Sequence, residues 1–522
     1  MKFSIRKVKE SQLVDRILTA YRDSEGDETL EPVIVVDANQ EALGRISRGD
    51  TVIFYNIRGE REVELSRALT DTEFSEFPVK DLDLNFITMI EYSKELNVNV
   101  AFPTLDVVQD TLSEIISKAG KRHVKIVESE KAIHVKYFLN GKNKTSFKHE
   151  DCIVIPSPSV VSNYNEKPEM AAEQVANSTM DKLRDKNYDV IITNIANVDV
   201  VGHIEDKSAI INAVEFVDLQ IGNIIDKALK NDVSCLITAD HGTVERWFYP
   251  DGKIDTGHTN SPVPFILVDK NQKGIKLRDD GELADVAPTV LELLGIEKPN
   301  VMTGNSLLVT KSQNNFKNKR VLLLIVDGWG VGSGGDEDLI AQSKTPNMDQ
   351  IKSQFPNTTL KSSGLAVGLP EGTVGNSESG HLHIGAGRRI DSDRVRIDNS
   401  IENGSFQNNE VFRRSIQKAI DSGKNVHLLG IISFFSSHGS LKHLYALLEM
   451  CKSHGVKNVF IHGMLGRRGE RPEAGARYIE DIMNKAREMN CGKVVTVIGR
   501  YWSLDREENW DRIEKTYNTL VC

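Results

Sequence analysis

The chain has 522 residues, of which 39% are hydrophobic and 27% charged. That balance excludes a disordered chain, and at roughly 100–200 residues per domain the length asks for two domains or more. Its 65 Lys and Arg stand against 75 Asp and Glu, a formal net charge of −10, which argues against nucleic acid or a membrane surface as partner, since both need a basic face.

Taken in chain order, β-branched apolar runs at 33–36, 52–55, 98–102, 190–194, 235–238, 263–268, 321–326, 426–432, 459–462 and 494–498 read as strands. Most are unbroken rather than alternating, as in strands buried on both faces. Helical periodicity fills 106–118, 168–186, 208–229, 283–294, 410–421, 441–454 and 474–489. Strand alternating with helix predicts α/β architecture with a mostly parallel sheet. The polar, nearly core-free stretch 310–319 reads as a linker ahead of the strand at 321. The five cysteines (Cys152, Cys235, Cys451, Cys491, Cys522) form no CxxC pair, so a reducing, cytoplasmic compartment fits better than a disulfide framework. No stretch approaches the ~18 continuous apolar residues of a membrane span, and no apolar leader follows the N-terminus.

Several predicted strands end in metal-binding groups, and in α/β folds functional residues collect at the carboxyl ends of strands. The strand at 321–326 runs into Asp327-Gly328-Trp329-Gly330. The strand at 190–194 leads to Asp199, with His203 one helical turn on. The strand at 235–238 leads to Asp240-His241-Gly242, and His258 precedes the strand at 263–268. Mixed carboxylate and imidazole ligation suits Mn²⁺ or Zn²⁺ better than Ca²⁺, and six such ligands exceed the needs of one tetrahedral site, which favours two metals. A nucleophile candidate, Ser377, lies in Gly375-Asn376-Ser377-Glu378-Ser379-Gly380-His381, where a glycine-bearing loop enters a helix. Read as structure only, Ser377 would be a plain N-cap. The segment is not a GxSxG elbow, and the sequence assigns Ser377 no His–Asp dyad, so metal activation is the alternative.

Asp327-Gly328-Trp329-Gly330, Thr345-Pro346-Asn347-Met348-Asp349, Leu369-Pro370-Glu371-Gly372, Gly375-Asn376-Ser377-Glu378 and His381 to Arg388 resemble the opening segment of cofactor-independent phosphoglycerate mutases, members of the alkaline phosphatase superfamily. Ser129-Glu130-Lys131, Ile155-Pro156-Ser157-Pro158 and the stretches 197–203, 238–242 and 258–265 resemble later segments of that family, and Asn56-Ile57-Arg58-Gly59-Glu60-Arg61 is a looser match. The family's opening segments lie here after residue 320 and its closing segments before residue 310, so the order resembles a circular permutant. Permutation is tolerated at exposed sites because packing does not depend on chain order.

The resemblance implies an alkaline-phosphatase-like α/β/α domain at 106–391 and a discontinuous α/β transferase domain at 1–105 and 392–522, with closure about the two crossings gating entry. It implies that Ser377 takes up the phosphoryl group. It further implies that Asp327, Ser377, Asp240 and His241 hold one divalent metal and Asp199, His203 and His258 the other. Mn²⁺ leads, with Zn²⁺ or Co²⁺ as alternatives, and no 2,3-bisphosphoglycerate is needed. Lys131 would bridge substrate phosphate to the site, His438 matches the family's catalytic histidine, and Arg58, Arg61, Arg468, Arg500 and Arg506 would clamp a small anionic phosphorylated acid. A monomer is implied.

Two stretches depart from the family. Ser433-Phe434-Phe435-Ser436-Ser437-His438 stands where the family shows Ser-Asp-Gly-Gly-Val-His, and Gly466-Arg467-Arg468-Gly469 stands where it shows Asp-Gly-Arg-Asp. The missing second Asp would handle the hydroxyl protons of glycerate, and Glu470 is the adjacent substitute. The leading expectation is interconversion of 3- and 2-phosphoglycerate. The alternative is a metal-dependent phosphomutase, phosphotransferase or phosphatase acting on a related phospho- or phosphono-acid. A non-catalytic binding protein is opposed by the complete set of nucleophile and ligands.

Overall fold

The computed structural model describes residues 5–104, 107–159, 163–271, 275–309, 319–434, 436–466 and 474–522. Arg468, Gly469, Glu470, Phe435, Asp106 and most of the 310–319 stretch lie outside the described residues. The chain forms two units, one of residues 1–104 with 393–522 and the other of residues 105–392.

The first unit opens with β1 (Arg6–Lys9), β2 (Val33–Val36), β3 (Thr51–Phe54), β4 (Asn85–Ile90) and β5 (Asn99–Phe102). The chain then builds the second unit from β6 (His123–Glu128), β7 (Glu150–Ile155), β8 (Val190–Ile195), β9 (Val233–Thr238), β10 (Val263–Val268), β11 (Gly281–Glu282), β12 (Arg320–Val326) and β13 (Asn357–Lys361). It returns to the first unit with β14 (Val426–Ile431), β15 (Val459–Leu465) and β16 (Lys493–Gly499).

In the first unit the sheet order is β1-β2-β16-β15-β14-β3-β4-β5. The β16–β2 pair is antiparallel and the others are parallel. The carboxyl ends of β3, β14, β15 and β16 therefore share one edge, and the loops after them carry Arg58 and Arg61, His438, and Arg500. Strand β4 escapes the periodicity reading because polar groups interrupt it. Its Asn85 is buried, and Asn85 Nδ2 donates to Thr51 Oγ1 at 3.0 Å.

In the second unit the order is β11-β13-β10-β9-β12-β8-β6-β7. Strands β9, β12, β8, β6 and β7 run parallel, and β10 is antiparallel to β9. That one reversal explains why His258 precedes its strand while the other ligands follow theirs: the start of β10 meets the carboxyl edge of β9. Strand β6 was not predicted, because it buries His123 and Lys125. Glu150 lies across the sheet 3.3 Å from each, pairing the Lys125 ammonium and hydrogen-bonding the His123 ring.

Helix Lys207–Lys230 is the one described helix long and apolar enough to cross a membrane. Here Ala213, Val214, Val217, Ile221 and Ile224 are buried in the core of this unit. Its buried Asp218 accepts the backbone N–H groups of Asn347 at 3.0 Å and Met348 at 2.7 Å. Those N–H groups open helix Pro346–Gln354 and have no partner within it.

Candidate metal centre and nucleophile

Helix Ser377–Ala386 is capped by Asn376, whose side chain accepts from Ser379 N at 2.8 Å. Ser377 is thus the first helical residue and not the cap, so its hydroxyl is free of capping duty. Gly380 lets the helix press against the Asp240 backbone, because a Cβ there would lie 2.5 Å from the Asp240 carbonyl oxygen. The packing delivers Ser377 Oγ to the loops that follow β8, β9 and β12.

Ser377 Oγ lies 3.0 Å from His241 Nε2, 2.7 Å from Lys131 Nζ and 3.5 Å from Asp327 Oδ1. His241 Nε2 is also 3.4 Å from Asp240 Oδ2 and 3.7 Å from Asp327 Oδ1. Asp327, Ser377, Asp240 and His241 are therefore brought together. Asp199 Oδ1 lies 3.2 Å from His258 Nε2 and 3.4 Å from His203 Nε2, and those two nitrogens face each other at 3.2 Å. The second set of three is likewise assembled. Lys131 Nζ reaches into both sets, at 2.6 Å from Asp199 Oδ2 and 2.6 Å from Asp327 Oδ1.

A histidine does touch the candidate nucleophile, which the sequence alone did not reveal. It is not the base of a Ser-His-Asp triad, however. His241 Nδ1 faces Gly242 O at 3.2 Å and Thr243 Oγ1 at 3.3 Å, so no carboxylate orients the far nitrogen as triad chemistry requires.

The electrostatics ask for cations. Asp240 and Asp327 are fully buried and Asp199 is nearly so, and among the described residues Lys131 is the only lysine or arginine paired with them. Burial works against the Lys131 ammonium, but Asp327, Asp199 and Asp240 overcome it and raise its pKa. Burial likewise pushes the Asp199 carboxyl up, yet Lys131 and His241 hold it well below the carboxylate range. Burial and the neighbouring Asp240 carboxylate push Asp327 up. Like charges this close in a dry site cannot all ionise without a counter-charge. Asp240 Oδ2 is buried and receives no well-aligned hydrogen bond among the described residues, facing only the ring nitrogens of His381 at 3.2 Å and His241 at 3.4 Å. The donor atoms of Asp199, His241 and His258 lie within 4.8 Å of one another, as do those of Asp240, His241 and Asp327. A buried carboxylate oxygen faced only by imidazoles and the opposed imidazole nitrogens of His203 and His258 fit divalent metal ions, with His and Asp as donors.

Two further residues brace this set. His381 Nδ1 lies 3.2 Å from Asp240 Oδ2 and its Nε2 3.0 Å from Asn194 Nδ2, which donates to Asp327 Oδ2 at 2.8 Å. His381 stands one helical turn after Ser377, and that spacing was the signal that could have found it. Asn194 lies in a strand and gave none.

The first unit holds the remaining predicted residues that are described, Arg58, Arg61, His438, Arg500 and Arg506. Glu60 pairs with Arg58 at 2.6 Å and with Arg506 at 3.1 Å. Burial pushes the Glu60 carboxyl up, but Arg58, Arg506 and Arg61 together hold it below its usual range. Arg61 Nη1 donates to Leu504 O at 3.1 Å, and Arg500 pairs separately with Glu28 at 3.2 Å. His438 is buried, with Nδ1 3.1 Å from Glu62 Oε1. Glu62, a partner that motif reading missed, is itself fully buried.

A profile of the Metalloenzyme superfamily matches residues 46–298, and a profile of the BPG-independent PGAM N-terminus matches residues 397–522. The profile named for an N-terminus thus matches after the other. The chain is 42% identical over 297 residues to a 2,3-bisphosphoglycerate-independent phosphoglycerate mutase of Clostridium botulinum, covering 56% of this chain and 57% of that protein. It is 41% identical over 296 residues to the enzyme of that name from Flavobacterium johnsoniae, covering 56% and 58%. The chain spans somewhat more than half the length of the curated relatives it matches. A crystal structure of Leishmania mexicana phosphoglycerate mutase at low cobalt concentration aligns with 28% identity and a TM-score of 0.38, over 59% of each chain.

Proposed function

Because residues 46–298 match the Metalloenzyme superfamily and residues 397–522 match the BPG-independent PGAM N-terminus, we propose that this chain is a cofactor-independent phosphoglycerate mutase in circularly permuted order. The observation that carries the reading is Ser377 Oγ at the head of a helix, within 3.0 Å of His241 and 2.7 Å of Lys131, amid buried aspartates. The order of the two profile matches supports the permutation. A glycolytic, cytoplasmic setting belongs to the same reading.

In this reading Ser377 Oγ attacks the phosphorus of 3-phosphoglycerate. The bond from phosphorus to the substrate oxygen breaks, and the phosphoryl group rests on Ser377. Return of the group to the other hydroxyl gives 2-phosphoglycerate. Lys131 places a positive charge where Oγ loses its proton and the phosphoryl oxygens arrive. Asp327, Ser377, Asp240 and His241 would hold one divalent ion, and Asp199, His203 and His258 another, with Mn²⁺ the leading choice. When bound, the ions supply the charge that lowers the serine pKa and neutralises the phosphoryl oxygens. In the first unit, Arg58, Arg61, Arg468, Arg500 and Arg506 would grip the acid's carboxylate and phosphate, whose paired oxygens match guanidinium forks.

The test is a ³¹P NMR time course of Mn²⁺-loaded protein with 3-phosphoglycerate beside Ser377→Ala. Appearance of 2-phosphoglycerate with wild type alone supports the proposal. Release of phosphate without isomerisation would point instead to a phosphatase or to a related acid as substrate, the reading that the altered 433–438 and 466–469 stretches favour.

A further inference from the structure

The donors around Glu62 decide the tautomer of His438. Ile431 N–H is an unambiguous donor, and it meets Asn56 Oδ1 at 2.9 Å. That contact orients the Asn56 amide, so its Nδ2 is the donor to Glu62 Oε1 at 2.8 Å. Arg61 N–H donates to Glu62 Oε2 at 3.2 Å. Both carboxylate oxygens are therefore acceptors, as an ionised carboxylate requires. With Glu62 ionised, the third contact, His438 Nδ1 at 3.1 Å from Oε1, is a donation from Nδ1–H. In the neutral imidazole the lone pair then sits on Nε2, which makes no hydrogen bond to a described residue.

The backbone of His438 is also pinned. His438 N donates to Ser436 Oγ at 3.1 Å, its carbonyl accepts from Ile57 N at 2.6 Å, and Arg394 donates to the carbonyls of Phe434 and Ser436 at 2.6 and 2.8 Å. The ring is held in one place with one nitrogen presented.

We propose that Glu62 is a positioning residue that fixes His438 as the Nδ1–H tautomer and so makes Nε2 the proton carrier for the substrate's hydroxyls. The inference rests on the mutase reading above. It assigns to a histidine–glutamate pair the proton work for which this chain has glycine, at 469, in place of aspartate. The protons balance over a cycle that starts and ends with Ser377 ionised and His438 as the imidazolium. As phosphorus leaves the first substrate oxygen for Ser377, that oxygen takes the proton of Nε2–H. As the other hydroxyl attacks the phosphoserine, its proton passes to Nε2, the bond from phosphorus to Ser377 Oγ breaks, and the imidazolium opposite Glu62 is restored.

The tautomer is read by ¹⁵N NMR of histidine-labelled, Zn²⁺-loaded full-length protein, with His438→Gln to assign the resonance. Protonation at Nδ1 alone in the neutral ring is expected, and a neutral ring protonated at Nε2 overturns the proposal without any variant having to fold. Glu62→Gln keeps the shape and removes the charge that stabilises the imidazolium. Its kcat is expected to fall on the order of 10²-fold with KM within about threefold of wild type. An unchanged kcat, or a loss confined to KM, overturns the proposal. Wild type that forms no 2-phosphoglycerate fails the mutase reading itself, and the tautomer result separates that failure from this one.

Discussion

Gly380→Ala sets two effects of opposite sign against each other. Gly380 lies inside helix Ser377–Ala386, and in a helix interior alanine is favoured over glycine by roughly 1 kcal/mol. The new Cβ, however, would lie 2.5 Å from the Asp240 carbonyl oxygen and 2.8 Å from Asp240 Cβ, where ordinary contact begins at 3.4 Å. The obstacle is the backbone of a fully buried loop and cannot swing aside, so the helix must retreat by about 0.9 Å. Overpacking of this kind costs about 1–3 kcal/mol, so the clash at least cancels the propensity and a net loss of up to about 2 kcal/mol is expected. Ser377 and His381 ride on the same helix, and a misplacement near 1 Å costs on the order of 10²-fold in rate. The assays are the urea midpoint and the rate of phosphoserine formation by intact mass. Gly26→Ala, at a site with no atom within 4 Å of the added Cβ, is the control. A Gly380→Ala protein as stable as wild type that phosphorylates Ser377 at the normal rate would refute the claim that this close approach positions the nucleophile.

Lys131→Met removes the ammonium that neutralises Asp199 and Asp327. Phosphoryl transfer is expected to fall on the order of 10²-fold or more, while Mn²⁺ content by elemental analysis is retained because the carboxylates stay free for the ion; loss of the metal with the lysine would contradict this. Dialysis against a chelator is expected to lower the melting temperature, since ion at 100 times its Kd adds about 2.7 kcal/mol to the folded state, and an unchanged melt would argue against a bound cation. Away from the metal centre, burial pushes Glu150 up, but the His123 hydrogen bond and the Lys125 charge prevail and bring its pKa down to about 2. A depressed carboxyl contributes stability that is present above the unfolded value of 4.5 and is lost as pH falls from there toward about 2. The contribution is on the order of 3 kcal/mol, and Glu150→Gln is expected to flatten the urea midpoint against pH over that window; a parallel profile would sink the assignment. Finally, a chain re-cut within 310–318 and closed by a short linker from 522 to 1 is expected to fold and form phosphoserine, and failure of a folded product to do so would count against the permutation.

The repeating apolar runs were enough to read an α/β chain, because strands buried on both faces must be apolar throughout. Asp327, Asp199, Asp240 and His241 were legible for a related reason: polar groups that directly follow buried strands mark the carboxyl edge of a sheet. Other features could not be read along the chain, because they depend on pairing across it. Strand β6 carries His123 and Lys125 into the core, and Glu150 and Asn140, brought alongside by the fold, make those polar groups tolerable. His258 reaches the centre because β10 runs antiparallel to β9, a choice that local propensity does not encode. Lys131 lies 68 residues from Asp199, 196 from Asp327 and 246 from Ser377 in sequence, and Glu62 meets His438 across 376. Residue types and their spacing were thus enough to single out the candidate donors, while burial and distance, which exist only in the folded chain, decided which charges meet.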